Sequence, residues 1–287
     1  MRDDDLRESN NVEDRRGMSG IPGGAGGLGI GAVIVLTLIG WVTGINPSTL
    51  IGGAEQLGLG QSAPTQQQQQ AAPGAPRDAT GTFVAKILGE TEDVWNQELP
   101  RQANKPYRAP TLVLFSGQTQ SGCGSARAAM GPFYCPIDQK LYLDTAFFDD
   151  MKAKLGGGGD FAYAYVIAHE VGHHVQNLMG LLPKIQSAEQ QNPDQANGLS
   201  VRTELMADCL AGVWANKMET RHNNLTDADM KQAVDTATAI GDDRLQRQAR
   251  GVAVPDSFTH GSSAQRVQWL TTGFRQGTVS GCNTFQQ

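Results

Sequence analysis

Two histidines and a glutamate with helical spacing are the residues of this chain best suited to catalysis. His169, Glu170 and His173 form the string H-E-x-x-H in a chain that contains 5 histidines. Side chains four positions apart lie on one face of a helix, so two imidazoles can bind one metal ion at about 2.0–2.1 Å. Glu170 lies about 100° round the helix from His169, where it could take a proton from water on the metal.

The helix that must carry this string is predicted over residues 161–179, which contain no proline. Glycines at 156–159 precede it, and Asp160 is placed to cap its first turn. Residues 161–168 are apolar nearly all round, which indicates a helix in the domain interior. A polar string at the end of such a helix needs a partner for its polar atoms, and a zinc ion would provide one.

Zinc enzymes usually use three protein ligands and leave a fourth position for water. His174 points away from the face of the motif, and His222 lies in a polar stretch typical of a solvated loop, so we expect neither to be a ligand. Glu204 and Asp208 are four apart in a second predicted helix, 202–218. We expect Glu204 to bind the metal and Asp208 to accept the free N–H of a ligating histidine. A pair of solvated acids on a helix surface is the alternative.

The motifs resemble those of known zinc peptidases. H-E-x-x-H followed by E-x-x-x-D resembles the gluzincins generally, whereas Gln176 and Met179 exclude the metzincin pattern, which has Gly and His at these positions. Over roughly residues 79–287 the chain resembles the bacterial family of putative neutral zinc metallopeptidases. The segments that carry this resemblance are 124–136, 168–176, 202–209 and 259–266.

The resemblance implies a membrane-anchored or secreted zinc peptidase with poorly defined substrates. It also implies roles for individual residues: His169, His173 and Glu204 would bind the metal, and Glu170 would be the catalytic base. The sequence matches the family pattern at all four positions.

A histidine near the C-terminus is a further candidate. His260 precedes a predicted helix start at Ser262 or Ser263, so it could be only a polar turn residue. The resembled family places a similar segment close to the active site, where His260 would hold the developing oxyanion or support a ligand. Arg266 could pair with Asp208 or face solvent, and the sequence leaves both open.

The chain before residue 79 predicts attachment to a membrane. Residues 28–45 carry no charge and are near the lower length limit for a membrane-spanning helix. A cleaved signal peptide is the alternative, although the leader would be long and acidic. Arginines precede this segment and no Lys or Arg follows until Arg77, so the positive-inside rule predicts a cytoplasmic tail, 1–27, and an exported remainder. Residues 46–78, rich in Gln, Pro and Gly, are predicted to form a flexible linker.

The 4 cysteines lie beyond the predicted anchor and suggest two disulfides in an exported domain. Of the three pairings we favour Cys123–Cys135, which would close a local loop, and Cys209–Cys282, which would pin the C-terminus to the helix of Glu204. Zinc ligation by cysteine is the alternative, but C-x₂-C spacing is absent. The net charge of −6 argues against nucleic acid as a partner.

Hydrophobic spacing and turn residues predict the remaining elements. Residues 121–130 could line the substrate cleft or form an ordinary loop. The other predictions are a helix over 83–98 that ends before Pro100, a strand over 111–115, a hairpin of 133–135 and 140–144, a helix capped by Thr226 that runs to about Arg250, and a final helix to about Gly277.

Together these features predict an α+β fold: a mainly helical, zincin-like metallopeptidase domain, 79–287, with a small β-sheet, preceded by a single transmembrane helix. The predicted function is a zinc-dependent endopeptidase that hydrolyses polypeptides. It would be anchored by one helix in the bacterial cytoplasmic membrane, with its catalytic domain on the periplasmic or extracellular side. Zn²⁺ is the expected cofactor, although Co²⁺ or Mn²⁺ could occupy the same ligands. A zinc amidase acting on cell-wall peptide and a non-catalytic zinc-containing scaffold are the alternatives.

Overall fold

The computed structural model describes residues 1–16, 76, 78–154 and 158–286. The predicted membrane anchor, 28–45, lies outside these residues, as does nearly all of the predicted linker, 46–78. Among the residues that are described, no helix is both long and apolar enough to cross a bilayer. The described chain is mainly helical with two small sheets, which agrees with the fold predicted for the peptidase domain.

Short strands form a main sheet and a separate hairpin. The strands are β1, Val12–Asp14; β2, Thr111–Phe115; β3, Gln118–Ser121; β4, Gly124–Arg127; β5, Phe133–Cys135; and β6, Lys140–Asp144. The main sheet has the order β1-β2-β6-β5, in which β1 and β6 run parallel to β2 and β5 runs antiparallel to β6. β3 pairs with β4 in the hairpin. The predicted strand 111–115 and the predicted pairing of 133–135 with 140–144 are confirmed.

The helices pack around the one that carries the H-E-x-x-H string. In the described chain they are α1, Ala79–Ala103; α2, Ala146–Lys154; α3, Asp160–Leu178; α4, Leu182–Gln191; α5, Ala196–His222; α6, Asp227–Ala239; α7, Asp242–Arg250; and α8, Ser263–Gln276. α3 is buried along most of its length and packs on α1, α5 and α6. Asp160 is its first residue, and the expected side-chain cap is absent.

Helix boundaries differ from the prediction in α1, in α5, which begins at Ala196 and not at 202, and in the helix predicted from Thr226. α1 continues through Pro100, and the proline leaves the carbonyl of Asn96 without a helical donor. Asn96 is exposed, so water can pair with that carbonyl. The helix predicted from Thr226 to Arg250 is broken after Ala239, where Gly241 is extended and packs its backbone directly on Ser263. A Cβ at Gly241 would lie 2.4 Å from the Ser263 amide nitrogen.

The N-terminal segment, residues 1–16, belongs to the same compact unit as the helices. Glu92, which is buried in α1, accepts hydrogen bonds from Ser9 Oγ at 2.5 Å and Asn11 Nδ2 at 2.7 Å. Arg7 donates to the same carboxylate from Nη2 at 2.8 Å. These contacts lead into β1, which forms one edge of the main sheet.

This packing corrects the predicted separation of a cytoplasmic tail from an exported domain. A chain that crossed a membrane once between residues 16 and 76 would hold the two parts on opposite sides, where they could not share a sheet. A single-pass topology with residues 1–27 in the cytoplasm and 79–287 outside is therefore incompatible with this fold. Attachment of residues 28–45 to a membrane stays a prediction.

Both predicted disulfides are present. Cys123 and Cys135 have Cα atoms 5.8 Å apart, and Cys209 and Cys282 have Cα atoms 5.4 Å apart. The first bond joins the β3–β4 turn to β5. The second ties the C-terminal turn to α5, one residue after Asp208, and so braces the helix that carries the acidic residues.

If residues 1–16 are part of the folded domain, Val12→Ala should lower its free energy of unfolding. Val12 is 3% exposed, and removal of its buried methyl groups leaves a small cavity, with a cost of about 2 kcal/mol. Urea unfolding of the purified protein measures this change. Val252→Ala is the matched control, because Val252 is 62% exposed, and its effect should be under about 0.5 kcal/mol. Equal stability of the two variants would mean that the segment does not pack on the domain.

Candidate metal centre

The helices α3 and α5 cross closely because Gly172 has no side chain. A Cβ at Gly172 would lie 3.0 Å from the carbonyl oxygen of Ala207 and 3.2 Å from its Cα. Gly172 directly precedes His173, and Ala207 directly precedes Asp208, so the point of closest approach lies at the level of the motif. This crossing sets the separation between the histidines of α3 and the acids of α5.

Glu204 lies between the two imidazoles of the motif. Its Oε2 is 3.1 Å from His169 Nε2, and its Oε1 is 3.4 Å from His173 Nε2. One ligand atom from each of the three residues can be chosen so that all lie within 4.8 Å of one another. Ligands around a tetrahedral zinc ion at about 2.0–2.1 Å are about 3.3 Å apart. The spacing and the donor set of two nitrogens and one oxygen therefore fit Zn²⁺.

Asp208 is fully buried behind this group and has three partners. Its Oδ1 accepts hydrogen bonds from His169 Nδ1 at 2.9 Å and from Tyr165 Oη at 2.5 Å. Arg266 donates to both carboxylate oxygens, from Nε at 2.8 Å and from Nη2 at 2.9 Å. Because Asp208 holds a proton on Nδ1 of His169, the neutral imidazole that binds a metal has the lone pair of its Nε2 on the side of Glu204.

Arg266 and Tyr165 are parts of this network that sequence analysis did not establish. Arg266 is 3% exposed, which answers the question that the sequence left open. A buried Asp208 requires a cation or several donors, and this need is a signal by which the pairing of Arg266 with Asp208 could have been predicted. Tyr165 precedes His169 by four positions and so shares its helix face, which was a signal available in the sequence.

Burial and charge act in opposite directions on the pKa values of the site. Burial lowers the pKa of His169, but the carboxylates of Asp208 and Glu204 outweigh it and raise that pKa to about 10. Burial raises the pKa of Asp208, but Arg266 and His169 outweigh it and lower that pKa to about 2. The two histidines likewise hold the pKa of Glu204 well below its usual value, against the effect of burial. Without metal, the site therefore pairs ionised carboxylates with a protonated His169 at pH 7.

Glu170 lies beside this group and stays outside its hydrogen bonds. Its side chain is buried, and neither carboxylate oxygen has a hydrogen-bond partner among the described residues. Burial raises the pKa of Glu170, while His169 and His173 partly offset the rise. A carboxylate with these properties is available to accept and return a proton.

His260 lies on a turn that packs against α5. Asp242 Oδ2 accepts hydrogen bonds from the backbone amides of Thr259, His260 and Gly261, and Asp242 Oδ1 is 3.3 Å from His260 Nδ1. A Cβ on Gly261 would lie 3.1 Å from Leu205 Cδ2, so the turn abuts the residue after Glu204. The hydrogen bond with Asp242 raises the pKa of His260 against burial, and the charge of Glu204 adds to the rise.

The other two histidines have partners away from the metal position. His174 was not expected to be a ligand, and it is 1% exposed. Its Nε2 donates to Arg108 O at 2.6 Å and its Nδ1 accepts from Tyr134 Oη at 3.0 Å. His222 was expected in a solvated loop, and that prediction is wrong. It is the last residue of α5, and its Nε2 is 3.0 Å from Oε2 of the buried Glu90.

The family model described as "Putative neutral zinc metallopeptidase" matches residues 1–285. The chain belongs to this family. Membership implies zinc, and the convergence of His169, His173 and Glu204 supplies a group that could bind it. The matched region begins before the predicted domain boundary at residue 79 and includes the packed N-terminal segment.

Bacterial relatives extend the similarity over the whole chain. The Escherichia coli K12 protein YpfJ, described as uncharacterized, is 47% identical over 298 residues, which cover 99% of this chain and 99% of that protein. A Mycobacterium tuberculosis protein, also described as uncharacterized, is 44% identical over 217 residues, which cover 72% of this chain and 69% of that protein. No solved structure matches the chain significantly.

Zinc binding should release protons and should strengthen as pH rises. Asp208 and Glu204 raise the pKa of His169 to about 10 against burial, and Glu204 likewise raises the pKa of His173. Because zinc binds neutral imidazole, each proton released should make the affinity about tenfold higher per pH unit between pH 6 and 8. Competition with a chromophoric chelator measures the affinity, and calorimetry in two buffers counts the protons. An affinity that is flat over this range would mean that both imidazoles are already neutral.

Proposed function

We propose that this protein is a zinc-dependent endopeptidase that hydrolyses peptide bonds in polypeptides. The position of Glu170 carries the proposal: it is buried beside three convergent candidate ligands but does not bind with them. A purely structural zinc site has no use for an unligated carboxylate at this position, so a non-catalytic scaffold explains the arrangement less well. Membership of a zinc metallopeptidase family supports the same conclusion.

The residues of the site take separate parts in this reaction. His169, His173 and Glu204 would hold the zinc ion, and Asp208 keeps His169 in the required tautomer. Zinc in such a site is a Lewis acid that lowers the pKa of water and polarises a carbonyl. Glu170 accepts a proton from the attacking water and passes it to the nitrogen of the leaving amine. Its raised pKa suits both steps, because the same group must gain and then lose the proton near neutral pH.

An edge strand beside α3 offers a binding place for a polypeptide backbone. β5 is the antiparallel edge of the main sheet. Tyr134 on β5 accepts a hydrogen bond from Asn177 Nδ2 at 2.9 Å and bonds with His174 at 3.0 Å, so the strand is fastened to α3 next to the motif. An extended substrate can add to such an edge through main-chain hydrogen bonds, with little demand on its side chains.

His260 is proposed to stabilise the oxyanion that develops on the substrate carbonyl. Its raised pKa favours the imidazolium form, in which Nδ1–H bonds Asp242 and Nε2–H is left to donate. Asp242 in turn is held by three backbone amides, so the imidazole has a fixed support. A positively charged donor at this position would lower the barrier to attack.

The proposed location is an oxidising compartment outside the cytoplasm, with attachment to the membrane through residues 28–45. The two disulfides support export, because such bonds are rare in the cytosol. Since residues 1–16 pack in the same unit as the site, both ends of the attached segment would have to lie on the exported side.

Glu170→Gln should keep zinc and lose hydrolysis. The amide has nearly the same shape but cannot accept the proton of water, so we expect kcat to fall by a factor on the order of 10²–10⁴. Zinc content by metal analysis and cleavage of unfolded proteins and a quenched-fluorescence peptide library measure the two effects. Glu8→Gln is the control, because Glu8 is exposed in the N-terminal segment.

Undiminished turnover by Glu170→Gln would remove Glu170 from the mechanism. If the parent protein holds zinc but cleaves neither peptides nor unfolded proteins, the endopeptidase proposal fails. Isolated cell-wall peptides, tested in parallel, would then separate an amidase from a non-catalytic scaffold.

His260→Gln should slow turnover without weakening zinc binding. Loss of a charged donor to the oxyanion should lower kcat by about 10²–10³, with a smaller change in KM. Steady-state kinetics on the best peptide from the library, together with zinc titration, tests this. An unchanged kcat would leave His260 as a residue of the turn alone.

A further inference from the structure

The two imidazoles of the motif have unlike partners at their outer nitrogens. His169 Nδ1 bonds the carboxylate of Asp208, whereas His173 Nδ1 is 3.0 Å from Oε1 of Gln176. We propose that Gln176 is a positioning residue that holds His173 ready to bind zinc and fastens the helix of Glu204 to the helix of the motif. The proposal rests on the metal centre and does not require the peptidase reaction.

The orientation of the Gln176 amide follows from its second contact. Its Nε2 donates to the main-chain carbonyl of Thr203 at 2.7 Å, and a carbonyl can only accept. The amide oxygen must therefore face His173, and His173 Nδ1 must carry the proton. In the neutral imidazole that zinc requires, the lone pair of His173 Nε2 is then on the side of Glu204, 3.4 Å away, where the metal would bind.

Burial makes this arrangement strict. Gln176 has no exposed surface, so water cannot replace either of its hydrogen bonds. Loss of the amide would leave the Nδ1–H of His173 without its acceptor and would free the imidazole to adopt the other tautomer or rotate.

The contact with Thr203 places the same side chain between the two ligand-bearing helices. Thr203 directly precedes Glu204 on α5, and Gln176 follows His173 by three positions on α3, on the same helix face. One amide thus links the backbone beside the acidic ligand to the imidazole of a histidine ligand. Sliding of α5 along α3 would stretch the hydrogen bond to Thr203 and pull on the amide that holds His173.

A neutral partner for His173 also suits the charge of the site. Glu204 and Asp208 already bring two ionised carboxylates to the centre, and Glu170 is a third acid nearby. Among the described residues, the salt bridge of Arg266 is with Asp208. A second carboxylate behind His173 would have no buried cation of its own, whereas an amide fixes the tautomer without adding charge.

Gln176→Met tests the proposal, because methionine has a similar length and neither hydrogen-bonding group. Zinc affinity of the full chain, measured by competition with a chromophoric chelator, should weaken by about 10–100-fold.

Gln102→Met is the matched control. Gln102 also bridges two elements through its amide, with Oε1 accepting from Val279 N at 2.7 Å and Nε2 donating to Gly277 O at 3.3 Å, but on α1 near the C-terminal turn. It should lower stability and leave zinc affinity within twofold.

A zinc affinity of Gln176→Met within twofold of the parent, in folded protein, would overturn the proposal. Should that variant not fold, nuclear magnetic resonance of the zinc-loaded, ¹⁵N-histidine-labelled parent decides the matter. We expect His173 to bind zinc through Nε2 and to keep a slowly exchanging Nδ1–H; zinc on Nδ1 would overturn the proposal. A parent chain that binds no zinc would refute the metal centre itself, which is a different result from equal affinity of parent and variant.

Discussion

The buried ion pair between Asp208 and Arg266 is the interaction on which the rest of the site depends. Asp208 has no exposed surface, and a carboxylate buried without a counter-charge would take up a proton or destabilise the fold. Arg266 meets both of its oxygens in a fork, so Asp208 stays ionised and can accept the proton of His169 Nδ1. The orientation of one candidate metal ligand is therefore set by a residue near the C-terminus.

The Asp208–Arg266 pair can form only because the helices that carry it pack closely. α8 reaches Asp208 because Gly273 lies directly on the backbone of α5, where a Cβ would come within 1.9 Å of the Cys209 carbonyl oxygen. Gly172 allows the same close approach between α3 and α5. The candidate centre is held at two glycine contacts and is braced by the Cys209–Cys282 bond. Its geometry is thus a property of three packed helices and of no single one.

Local signals predicted most of the elements correctly because their causes are local. The capping box of Thr226 and Asp229 and the strand 111–115 depend on neighbours within a few residues. Gly241 followed by two acids is a local signal for a helix end and a new start that the prediction missed, whereas the close packing of Gly241 on Ser263 is visible only in the tertiary structure. The N-terminal strand β1 was missed because three residues become a strand only where β2 offers an edge to pair with.

The sequence by itself determined which groups could bind a metal and which could move a proton, because helical spacing places His169, His173 and Glu170 relative to one another without help from the rest of the chain. It also pointed to Glu204 as the third ligand, because Glu204 and Asp208 share one face of a second predicted helix. Only the tertiary structure decided how these groups are oriented. Asp208 fixes the proton on His169 Nδ1, Gln176 fixes the proton on His173 Nδ1, and Arg266 keeps Asp208 ionised. The parallel pairing of β1 with β2 places residues 1–16 in the same folded unit as the site. The contacts of Asp208 and Arg266 join residues far apart in sequence, and even Gln176, three positions from His173, is oriented by Thr203 on another helix. Spacing along one helix cannot supply these contacts, since a hydrogen bond forms only when packing brings donor and acceptor within about 3 Å.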